Sequence, residues 1–353
     1  MIIIKNKIGI PRSLLYYKYY PLWKTFFEEL GFEIVLSDQS TSKIVEIGSR
    51  YAIDEICIPL KLYYGHLMNL LQKEIDYLFV PRYISTTFGT YMCPKFLGLP
   101  DMVRGTMDNL PPIIEMDVDL RKKPKYASAI QTGRQLNRSM SQIQKAYEKA
   151  VKVYKYFRNL MVKGLTFKKA MNIINKNIQN FEPRIHDRKN NEVKIGVIGH
   201  GYNVHDPYIN MNLFKKLREM GAYPITLENL PLRIFKKKTI ITNTLQNYWG
   251  NEEEILSAVN YLFKDKTLDG LIFICSFCCG PDSLIDELIT RDSNQLNIPY
   301  ISLVLDEHSG QAGVITRIEA FVDMIIRKKR NLKIKKEQKI PIETTSEQFK
   351  GTK

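Results

Sequence analysis

Val193-Lys-Ile-Gly-Val-Ile198 runs straight into Gly199-His-Gly-Tyr-Asn-Val-His-Asp-Pro207. An apolar run of strand length that stops at glycine is the start of a strand–loop–helix unit. The helix expected next is Tyr208 to Met220, closed by Gly221, a residue suited to ending a helix. The chain opens in the same way, with the strand Lys7-Ile-Gly-Ile10 and the turn Pro11-Arg-Ser13. Its first helix is clearest from Pro21 to Leu30, with Pro21 read as an early helical position and Leu22, Trp23, Phe26, Phe27 and Leu30 as the buried stripe.

Outward from these openings, strands and helices alternate. The first half reads as strands over 32–36 and 76–80, with helices over 42–47 and 60–71. The second reads as strands over 223–227, 271–274 and 299–305, with helices over 252–263 and 313–327. Alternation of this kind implies parallel sheets. Residues 126–181 carry helical spacing alone, broken near Gly164 and the Thr166 cap. The expectation is α/β: two doubly wound parallel-sheet domains, 1–125 and 192–332, joined by a helical bridge and connector, 126–191. Residues 333–353 read as a disordered basic tail.

The chain has 353 residues, enough for two cores, with a formal net charge of +15. Lysines on solvated helix faces account for that charge, and no nucleic-acid signature accompanies it. No apolar run approaches the roughly 20 residues of a membrane span. Met1-Ile-Ile-Ile-Lys5 is too short an apolar run for a signal peptide, so a cytoplasmic protein is expected. Five cysteines suit metal or redox use better than a disulfide framework.

Four of the five sit beside proline or glycine in loops: Cys57 in Cys-Ile-Pro-Leu-Lys61, Cys93 in Cys-Pro-Lys-Phe96, and Cys278 and Cys279 in Cys-Cys-Gly-Pro-Asp282. Thiolates bind soft metals and iron–sulfur clusters. Cys275, inside an apolar run, reads as a buried small hydrophobe. A vicinal 278–279 disulfide is a further reading, though a strained one. His66, His200, His205 and His308 are candidate acid–base or ligand groups, and Asp306-Glu-His308 follows a strand. Arg12 and Arg82 would face an acidic ligand or make ion pairs. Gly199-His-Gly201 lacks the third glycine of a dinucleotide loop. Neither a Gly-x4-Gly-Lys-Ser/Thr loop nor an Asp-x-Gly-Ser/Thr-Thr motif is present, so autonomous ATP hydrolysis is not expected.

Several strings together resemble the acyl-CoA dehydratase activase-related proteins, relatives of the iron–sulfur subunits of 2-hydroxyacyl-CoA dehydratases. They are Ile8-Gly-Ile-Pro-Arg-Ser-Leu-Leu15, Phe26-Phe-Glu-Glu-Leu-Gly-Phe32, Cys57-Ile-Pro-Leu-Lys61 with Gly65-His66, Cys93-Pro-Lys-Phe96, Gly280-Pro-Asp-Ser283, and Leu305-Asp-Glu-His-Ser-Gly310 with Thr316-Arg-Ile-Glu-Ala-Phe321. The resemblance spans about residues 7–325 and implies paired α/β domains around a 4Fe–4S cluster. It makes Cys57, Cys93 and Cys279 the expected metal ligands, with Cys278 as substitute for Cys279. It further implies an iron–sulfur redox protein that accepts a low-potential electron from a separate ATP-dependent activase. The partners it implies are that activase, a related cysteine-containing α/β subunit, and an acyl-CoA. Any catalytic role would be that of a dehydratase-like lyase or an ATP-coupled reductase component, with no catalytic residues assigned. The alternatives are a non-catalytic structural or assembly subunit, or a coenzyme A or nucleotide-binding module without metal.

Overall fold

The computed structural model describes residues 5–87, 89–121, 124–178, 181–182, 192–236, 249–265 and 267–337. The first half builds from β1 (Lys7–Ile10), α1 (Tyr16–Glu29), β2 (Glu33–Leu36), α2 (Ser42–Tyr51), α3 (Ile58–Leu71), β3 (Tyr77–Phe79), β4 (Arg82–Ser85), α4 (Pro94–Leu97), α5 (Leu99–Thr106), β5 (Ile113–Ile114) and β6 (Asp117–Asp119). Three helices follow: α6 (Lys125–Gln135), α7 (Met140–Val162) and α8 (Phe167–Asn175). The second half contains β7 (Val193–Gly199), α9 (Gly201–His205), α10 (Leu213–Glu219), β8 (Ala222–Thr226), α11 (Gly250–Phe263), β9 (Gly270–Ser276), α12 (Gly280–Leu296), β10 (Tyr300–Leu305) and α13 (Gln311–Glu337).

The fold is α/β with parallel sheets flanked by helices. One sheet runs β2-β1-β3-β5 and the other β8-β7-β9-β10, every pair parallel. Each therefore has the order second, first, third, fourth along its own stretch of chain. β4 and β6 pair separately. The helices α6–α8 share one apolar cluster with the first sheet: Ile143, Phe157, Leu160 and Phe167 pack with Ile8, Ile10 and Phe79. The second sheet carries an apolar cluster on each face. One of these takes in Ile44 and Val45 of α2 and Ile58 and Leu62 of α3.

Helices α2 and α3 touch backbone to backbone. A Cβ on Gly48 would stand 1.8 Å from the Lys61 carbonyl oxygen, and one on Gly65 would stand 1.9 Å from that of Ile44. Only glycine permits this crossing, which fixes the helix that begins after Cys57.

Some expectations need correction. Pro21 is interior, because α1 begins at Tyr16. Burial of Tyr16, Tyr17 and Tyr20 extends the helix ahead of a residue that costs about 3 kcal/mol inside one. The 199–207 loop holds the short helix α9, while the helix after it starts only at Leu213, since Met211 and Asn212 are left-handed. β4 and β6 are short and charged and gave no alternation to read; Arg82 joins them through contacts to Asp101, Glu115 and Asp117. Helix α13 continues to Glu337, past the expected tail start at 333. The remaining tail, 338–353, and the connector 184–191 lie outside the described residues.

Candidate functional site

Cys57, Cys93 and Cys279 hold the same local position. Each is the residue that caps the N-terminus of a helix: α3, α4 and α12 in turn. Proline stands one or two residues further on, at Pro59, Pro94 and Pro281, where its missing N–H costs nothing. In each case the cysteine carbonyl accepts the first bond of the new helix, from Leu60 (2.9 Å), Phe96 (2.9 Å) and Ser283 (3.1 Å). The cysteine-then-proline spacing is thus a helix start, and the sulfur sits at the positive end of the helix dipole.

The three sulfurs lie within electrostatic reach of one another. Burial pushes the Cys57 thiol up to about 12, against the pull of Lys95, and the charges of Cys279 and Cys93 add to the rise. Burial also raises Cys93, with Cys279 again contributing. Cys279 is raised by burial, although the imidazole of His200 acts the other way. Left alone, these thiols keep their protons at neutral pH. A cation bound at any of them would have to displace that proton.

Two further helix starts reach the same place. His200 caps α9, and Glu252 lies in the first turn of α11. His200 Nε2 stands 3.0 Å from Asp282 Oδ1 and 3.5 Å from Glu252 Oε1. Asp282 is 1 % exposed; its Oδ1 meets His200, while its Oδ2 has no hydrogen-bond donor among the described residues. One ligand atom each from His200, Cys279 and Asp282 falls within 4.8 Å of the others. Burial would lower the His200 pKa, but Asp282, Cys279 and Glu252 outweigh it and hold the ring's pKa well above the ordinary histidine value. Tyr202 stacks on His200 at 4.9 Å, and burial, with the charges of Cys279, Asp282, Cys57 and Cys93, raises its phenol strongly. His200, Cys279 and Asp282 thus bring a nitrogen, a sulfur and a carboxylate oxygen together.

Cys278 is exposed with a left-handed backbone (φ 63°), and both it and Cys279 are free thiols. Cys275 is buried against Ser302 and Leu303. The other candidates go elsewhere. His66 is fully buried and meets the Ser40 hydroxyl at 3.0 Å. His205 contacts Glu228 at 2.8 Å. His308 is exposed, while its neighbour Glu307 pairs with Lys61. Arg12 donates to the Ser37 carbonyl, and Arg82 is an ion-pair hub. His200 and Tyr202 also line a cavity of about 320 Å³ that includes Lys18, Arg158 and Glu254 but no cysteine. Sequence reasoning missed Glu252 and the part played by Asp282. The latter's only signal was its place three residues into the helix after Cys279.

Residues 7–230 match the family model described as a CoA enzyme activase uncharacterised domain, and the chain belongs to that family. No curated protein matches it. The family is described by an activating role. That overturns the expectation of a dehydratase-type iron–sulfur subunit that accepts an electron from a separate ATP-dependent activase. Among the described residues no helix is long and apolar enough to cross a membrane.

Proposed function

We propose that the chain acts on the activating side of a CoA-enzyme system, as a component that carries a 4Fe–4S cluster on Cys57, Cys93 and Cys279. The partner on this reading is the CoA-dependent enzyme being activated. The observation that carries it is three thiols, each at a helix start and within electrostatic reach of the others, beside the under-bonded carboxylate of Asp282. A bound cluster supplies one-electron transfer. The residues do the rest. The helix ends favour the thiolate form against the effect of burial, and His200, stacked on Tyr202, lines the larger cavity, whose described lining holds no cysteine.

Anaerobic purification followed by metal and sulfide analysis tests this. About four irons and four sulfides per chain are expected. The grouping of His200, Cys279 and Asp282 favours a second reading, a single cation such as zinc. Stoichiometric zinc without inorganic sulfide would select that reading and remove the first.

A further inference from the structure

A second cavity, of about 200 Å³, lies between the turn that joins α7 to α8 and the helix α10 with strand β8. Its lining is one-sided in charge. Lys163, Lys169, Lys215 and Arg218 surround it with the imidazole of His205, and among the described residues no carboxylate lines it. The acids that meet these cations stand outside the lining. Glu182 reaches Lys163 at 2.8 Å, but Glu219 and Glu192 approach Lys215 and Arg218 only to 3.8 and 3.9 Å. Glu228 holds His205 from behind.

Thr166 lines the cavity and caps α8, its hydroxyl accepting from the Lys169 N–H. Gly164 is left-handed (φ 89°), and a Cβ there would meet only the Tyr223 hydroxyl, at 3.4 Å, so the turn presents bare backbone to the cavity. His205 is a buried ring whose Nε2 is held by Glu228 at 2.8 Å.

We propose that this cavity is a binding site for a small phosphate-bearing anion, either inorganic phosphate or a phosphomonoester. Four cations around one cavity, with no carboxylate in its described lining, match a dianion. The size excludes much more, because pockets for drug-sized ligands run from about 300 Å³ upward. The site lies apart from the cysteines and does not depend on what they bind.

Calorimetric titration of the full chain at low ionic strength tests it, with inorganic phosphate and with glycerol 3-phosphate as probes. Saturable binding of at least one is expected. The double variant Lys169→Gln/Lys215→Gln should weaken it by more than about tenfold. Lys152→Gln, an exposed lysine away from the cavity, should leave it unchanged. Tighter binding of the ester assigns the site to a phosphomonoester, and equal binding assigns it to inorganic phosphate. If the double variant fails to fold, Lys169→Gln alone carries the comparison. Absence of binding to the wild type, or equal binding to the lysine-cavity variant and the wild type, overturns the proposal.

Discussion

In the first sheet, the helix ahead of the third strand starts at Cys57. In the second, the helix in the same place, α11, starts at Trp249 and puts Glu252 in its first turn. After the third strand, both halves supply sulfur: Cys93 beyond β3 and β4, and Cys279 directly beyond β9. After the first strand, α1 offers an apolar start at Leu15, whereas α9 starts at His200. The two halves share a strand order and therefore a set of helix starts beyond the carboxyl ends of their strands, where α/β sheets collect ligands. They fill those starts differently. The first half gives two thiols; the second gives one thiol and the charged groups His200, Asp282 and Glu252.

The strongest way to break this pairing is to exchange the equivalent sulfurs. Cys93→Ser and Cys279→Ser should each abolish bound iron in the anaerobically purified protein, while Cys278→Ser keeps it. Full iron in the Cys93 variant would remove the correspondence between the halves.

The buried histidines contrast as sharply. Burial, with the charge of Arg12 adding to it, drives His66 down to about 3 against the weaker pull of Asp38. A histidine held neutral in the folded state takes up its proton only on unfolding. Its contribution is therefore intact above about pH 6.5 and is lost as pH falls toward 3. The loss is on the order of 4 kcal/mol by pH 3 if no other group intervenes. Denaturant unfolding at stepped pH, in the wild type and in His66→Gln, measures it. Parallel curves for the two proteins would show that His66 is not the cause.

Gly48→Ala should destabilise by about 3 kcal/mol, at the upper end of overpacking, because the clash is with backbone. A midpoint shift in chemical denaturation reads this out. Unchanged stability would mean that α2 and α3 can part freely. A finer comparison uses the glycine inside each leading strand. A Cβ on Gly196 would meet Leu271 Cδ1 at 2.6 Å, and one on Gly9 would meet Ile75 Cδ1 at 2.9 Å. Gly196→Ala should cost about 1 kcal/mol more than Gly9→Ala. The reverse order would show that the second sheet yields more readily than the first.

The strand-and-helix alternation was legible because β1, β7 and β9 are apolar runs bounded by glycine or proline. β4 and β6 were not, since Arg82 and Asp117 carry charge where an alternating strand would show apolar residues. The cysteines were legible as loop residues beside proline. Their common identity as helix starts was not, because no strand precedes Cys57: α2 does. Asp282 stood in plain view, but its burial depends on the register of α12. The activase-related family was legible in the combined strings, but the expectation built on missing motifs was too broad. Two phosphate-binding motifs were absent, and motif absence excludes only the designs those motifs encode.

The sulfurs are far apart along the chain, and this has a consequence for the order of synthesis. Cys57 and Cys93 leave the ribosome early, and Cys279 follows after most of the protein has been made. A nascent first half can fold its own sheet, yet it holds only two of the three thiols. If the three thiols hold one cluster, as proposed, its loading waits for α12. A truncated or stalled chain would expose a pair of cysteines without the third, open to oxidation by whatever meets them first.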